Sequence, residues 1–129
     1  MRCTGLAAGV LLVSVAGTAP AHHSISAMYA REKPVTVSGT VAAFEFRNPH
    51  PLIHLDVAVA GGGTERWTLE WSNRFRLEER GVTAATLKAG DHIVVTGGPA
   101  RDGSKGLFVG RLQRPADGYE YVSQTQGGR

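Results

Sequence analysis

The sequence predicts an all-β domain of five short strands with one short helix, in the order β-β-β-α-β-β. Three observations carry this. Apolar residues alternate with polar ones at period two in several separate stretches; Gly, Pro and Asn punctuate those stretches; and residues 72–80 alone carry a helix start and stop. In the first stretch Val35, Val37, Gly39 and Val41 alternate with Thr36, Ser38 and Thr40, and Gly39 marks a bend or bulge. Phe44 and Phe46 continue the apolar set on the opposite parity, which places a bulge near Ala42-Ala43.

Asn48-Pro49-His50-Pro51 ends that strand, because two proline rings fix φ and withhold two amide donors. Residues 52–59 form the second strand, with Ile53, Leu55, Val57 and Val59 on one face and His54, Asp56 and Ala58 on the other. Gly61-Gly62-Gly63 is a hairpin loop. The third strand, 65–71, turns Trp67, Leu69 and Trp71 inward and Arg66, Thr68 and Glu70 outward, which makes both tryptophans core residues. Ser72 caps a helix running to Arg80, with Phe75 and Leu77 as its apolar contacts and Gly81 as its stop; residues 83–87 add another turn. Residues 91–97 form the fourth strand, with Ile93 and Val95 inward, and Asp102-Gly103 turns the chain into the fifth, 107–112.

Three strands, a helix and two strands is the element order of an OB-like barrel. Closure suits five short strands because it removes exposed edges, but an open antiparallel sheet with the helix on one face has the same periodicity.

The amino terminus reads as an export signal. Arg2 gives a thin positive segment, residues 6–15 an apolar core, and Ala19-Pro20-Ala21 the small-x-small pattern of a cleavage site. The apolar run is shorter than the ~20 residues a spanning helix needs, which favours a cleaved signal over the alternative, an uncleaved anchor, and no membrane span is expected after cleavage. The domain organisation that follows is a signal over 1–21, an extended arm over 22–34, the barrel over 35–114 and a flexible tail over 115–129. Removal of residues 1–21 of 129 leaves 108, enough for one core. It also discards Cys3, the only cysteine, so the mature chain has neither a disulfide nor a thiolate metal site. Arg2 is one of 14 basic residues, so 13 remain against 11 acidic ones, interleaved along the chain. That balance does not suggest a nucleic-acid partner.

Cleavage after Ala21 would make His22 the new terminus, joining a free amine and an imidazole on one residue. Four of the five histidines fall in two clusters, His22-His23 and His50 with His54, while His92 stands apart. On an extended strand His50 and His54 sit ~13 Å apart at ~3.3 Å per residue, too far for one ion. A composite metal site would need the arm to fold over the turn, bringing His22 or His23 beside His50 with Glu70 or Asp56 as the carboxylate; copper or zinc suits such donors. The plainer alternatives stay open: a solvated His-His terminus, an architectural Asn48-Pro49-His50 turn in which His50 donates to a carbonyl or to Glu70, and Glu70 as a surface acid or a clamp for the arm.

Ala-His-His-Ser at 21–24, Lys33-Pro34-Val35-Thr36-Val37-Ser38-Gly39-Thr40-Val41, Asn48-Pro49-His50, Trp67-Thr68-Leu69-Glu70, Leu87-Lys88-Ala89-Gly90-Asp91 and Gly97-Gly98-Pro99-Ala100-Arg101-Asp102-Gly103 follow one another along nearly the whole chain. Together they resemble a bacterial family of small exported proteins that carry a domain of unknown function. The resemblance implies a periplasmic or secreted OB-like barrel marked by His-His-Ser and Asn-Pro-His, and no assigned reaction. His54 is less a mark of that family than of this chain.

No nucleophile elbow, His-Glu-x-x-His pair or cysteine nucleophile is present, so no catalytic residue is assigned. The expectation is an exported, periplasmic, non-enzymatic binding module for a small ligand or an envelope protein. Its alternative is a copper- or zinc-binding protein using His22, His23, His50 and Glu70, and a more distant one is a copper-dependent oxidase.

Overall fold

The computed structural model describes residues 24–124. A one-turn helix, α1 (Ile25–Met28), precedes β1 (Val35–Glu45), β2 (Leu52–Ala58), β3 (Thr64–Glu70), α2 (Arg74–Glu79), β4 (His92–Pro99), β5 (Gly106–Arg114) and β6 (Tyr119–Val122). Strand β1 pairs antiparallel with both β2 and β4, β2 with β3, and β4 with β5. Strand β5 then runs parallel to β3, setting Leu69 opposite Leu107 and Glu70 opposite Phe108. This last pairing joins β1, β2, β3, β5 and β4 into a ring, and the fold is a closed five-stranded barrel rather than an open sheet.

The long β1 can serve two neighbours because it bends. Its register shifts between Val41 and Ala43, the bulge expected from the change of parity. A methyl group at Gly39 would fall onto the Asp56 carbonyl, so glycine lets the β1 and β2 backbones approach there. The core follows the alternation: Val41, Ile53, Leu55, Leu69, Trp71, Ile93, Val95, Leu107, Val109 and Leu112 are all buried, and α2 seals one end with Leu77. Among the described residues no helix is long and apolar enough to cross a membrane.

The structure corrects several expectations. Asn73, not Ser72, caps α2, its side chain accepting from the Phe75 amide at 2.9 Å. Phe75 is 65% exposed rather than packed, because a six-residue helix turns only one side to the core and Leu77 occupies it. Trp67 has the inward parity but lies near the open hairpin end of β3. It is half-buried, with Nε1 donating to Glu65 at 3.0 Å and the Lys105 ammonium 5.5 Å from its ring.

Nor are the two flanks of the barrel loose. In place of a flexible tail from Pro115, Tyr119–Val122 forms β6 on β5, and Tyr121 meets Trp71 edge-on at 5.0 Å. Arg114 fixes the intervening turn by reaching Asp117 and Asp91, each at 2.9 Å. In place of a wholly extended arm, α1 is followed by Tyr29, which bridges to Ala100 and is buried. Backbone bonds from Ala30 to Pro99 at 2.8 Å and from Arg101 to Met28 at 2.9 Å hold this arm to the barrel wall.

Candidate functional site

The register of β2 on β3 sets Leu52 opposite Glu70, and one step further the Trp71 amide donates to the Pro51 carbonyl at 2.9 Å. The Asn48-Pro49-His50-Pro51 turn therefore lies directly over the end of β3. Its Asn48-Pro49 peptide bond is cis, and the Pro49 carbonyl accepts from the Arg74 amide at the start of α2 at 2.9 Å. His50 Nδ1 donates to the Trp71 carbonyl at 2.9 Å. A carbonyl can only accept, so the proton resides on Nδ1 and the neutral ring keeps its lone pair on Nε2. Nothing among the described residues bonds that nitrogen, and the side chain is 25% exposed.

Glu70 stands beside this ring. One carboxylate oxygen lies 3.5 Å from His50 Nδ1, and the other accepts the Tyr29 hydroxyl at 2.6 Å. Burial, and next the bond to Glu70, push the Tyr29 phenol well above its ordinary value, so it remains a donor throughout the neutral range. Phe108 lies among them, its ring 5.7 Å from Tyr29 and 6.3 Å from His50, with the Arg31 guanidinium 5.6 Å from its centre. Glu70 thus acts as the clamp for the arm, and His50 as the donor to a carbonyl, that the sequence allowed. The cluster also contains three residues the sequence did not single out: Tyr29, Arg31 and Phe108. The one available signal was a lone aromatic residue, Tyr29, in an arm without periodicity.

The remaining candidates lie elsewhere. His54 bonds Glu45 across the β1–β2 pair at 2.5 Å, and this bond, with help from Arg47, holds the Glu45 carboxyl below its usual range. Asp56 is paired with Arg66 at 2.6 Å, which removes it as a carboxylate partner for His50. His92 meets the Ser38 hydroxyl at 3.0 Å. His22 and His23 lie outside the described residues, as does the signal segment. Among the described residues no three His, Cys, Asp or Glu side chains come together as a ligand set for a metal. A site of three protein ligands at His50 would need donors from outside the described residues.

A model for a family of unknown function, DUF6152, matches residues 8–108. The chain belongs to that family. The matched span of DUF6152 runs from before the arm to Phe108, so it includes Tyr29, His50, Glu70 and the strand pairing that closes the barrel, and it stops short of β6. No curated protein matches the chain.

Proposed function

We propose that this DUF6152 member is an exported, periplasmic binding module without catalytic activity, whose ligand surface is the barrel end around His50. The observation that carries the reading is the Tyr29 hydroxyl on Glu70, beside the His50 ring. It ties the arm to the barrel beside a histidine whose Nε2 is uncommitted. The groups around it are engaged with one another instead of poised for proton transfer: Glu70 accepts from Tyr29, Tyr29 holds its proton, and His50 Nδ1 is given to a carbonyl. Such a network positions a ligand more readily than it turns one over.

A second reading, copper or zinc binding, is favoured by the His50 tautomer. Metal-bound histidines commonly donate their other ring N–H to a carbonyl or carboxylate, and His50 does so already. Its completion depends on processing after Ala21, which would bring the amine and ring of His22 and the ring of His23 to the start of the docked arm. Mass spectrometry of protein from the native envelope is expected to show His22 as the first residue; retention of Met1, or a start beyond His23, would overturn export in the form proposed. Titration of that mature form with Cu(II) and Zn(II) is expected to give submicromolar affinity, a free energy of about 8 kcal/mol or more. One extra residue before His22 should abolish it. Equal, weak binding by both forms would eliminate the metal reading and leave the binding module without a metal.

A further inference from the structure

Where β3 hands over to α2 and β6 ends on β5, a crevice of about 200 Å³ opens, walled by Arg31, Ser72, Arg76, Phe108, Ser123 and Gln124. No carboxylate lines it. Arg31 and Arg76 are both exposed and, among the described residues, form no ion pair, whereas Arg66, Arg74, Arg101, Arg111 and Arg114 each pair with an acid. The crevice continues on either side into two further hollows that share its residues. One adds Arg80, Tyr121 and Glu79; the other adds Arg111, whose charge Glu120 already meets at 2.9 Å.

We propose that this crevice is an anion site, in which a carboxylate or phosphate group sits between the Arg31 and Arg76 guanidiniums. A guanidinium is a planar fork of N–H donors matched to two oxygens of such a group, and two arginines line this one crevice. The Ser72 and Ser123 hydroxyls and the Gln124 amide supply neutral donors around the same space, and the buried Phe108 ring forms an apolar floor for the organic part of a small ligand. At about 200 Å³ the crevice has room for one oxyanion with a short substituent. Arg31 is placed for this by its position over Phe108, 5.6 Å from the ring centre, and by the arm's docking on β4. The site extends the binding-module reading, but needs neither a processed terminus nor a metal, so the two can fail separately.

The test is an NMR titration of the mature protein with inorganic phosphate and with succinate, at ionic strength matched with chloride, following the side-chain Nε–H signals of the arginines. Saturable shifts at Arg31 and Arg76 are expected, with affinity reduced about tenfold or more in Arg31→Gln and in Arg76→Gln, and unchanged in Lys88→Gln, which removes the same charge from an exposed residue outside these hollows. Both arginines are exposed, so the variants should melt like the parent protein. If phosphate wins over succinate the natural ligand class is a phosphorylated solute, and the reverse order indicates a carboxylate. Shifts that chloride reproduces, or that persist in both arginine variants, would overturn the site.

Discussion

Replacing Trp71 with alanine is expected to cost about 3–5 kcal/mol of folding stability, the range for emptying a fully buried aromatic site. Set against a total of about 5–15 kcal/mol for a domain of this size, that removes between about a fifth and all of the stability. Trp71 is fully buried, with Phe44 at 6.0 Å and Tyr121 at 5.0 Å, so it joins the bulged end of β1 to β6 across the closed end of the barrel. Its Nε1 donor is buried without a hydrogen-bond partner among the described residues. Trp71→Phe removes that unsatisfied N–H while retaining most of the ring, and should cost distinctly less than Trp71→Ala. Urea denaturation of the two variants checks this. Equal losses would mean that ring volume is not what holds this end of the barrel together.

The second large effect is at the clamp. Glu70→Ala leaves the Tyr29 hydroxyl buried without its acceptor, at a cost of about 1–3 kcal/mol, and frees the arm from the barrel. Limited proteolysis should then cut within residues 24–33 of the variant while the barrel stays intact. The same contact gives an alkaline signature. The native phenol holds its proton more tightly than the unfolded one, whose ordinary value is 10.0. Its contribution is therefore complete below pH 10 and is lost progressively as the pH rises above that value. Tyr29→Phe should flatten this alkaline fall without abolishing it, since burial raises Tyr119 in the same direction. A variant with the full alkaline slope, or an arm no more protease-sensitive in Glu70→Ala, would contradict the clamp.

Much of the barrel is legible in the sequence because its strands are half-buried. Ile53 and Leu55, or Ile93 and Val95, face a core every second residue, and the bulge in β1 shows as Phe44 and Phe46 changing parity. Closure is not legible in this way, since the parallel pairing of Leu69 with Leu107 depends on sheet twist and not on the pattern of either strand. Strand β6 is hidden for a different reason. It has four residues, and its turn is secured by Arg114 reaching Asp117 and Asp91, the latter 23 positions away in the chain. At the site, the outward parity of Glu70 and the ring-locked turn at His50 are both evident from the residues. Tyr29 is not, because its burial comes from the docking of the arm on β4 and from Phe108, on a strand some 80 positions later.

The account rests on a histidine whose inner nitrogen is committed to the protein and whose outer one is not. Long-range proton–nitrogen NMR of the His50 imidazole, in metal-free mature protein at a pH where the ring is neutral, reads this directly. The proton is predicted on Nδ1, bonded to the Trp71 carbonyl, with Nε2 bare. A proton found on Nε2 would contradict that prediction, because the ring would then present a donor where the proposed surface needs a lone pair.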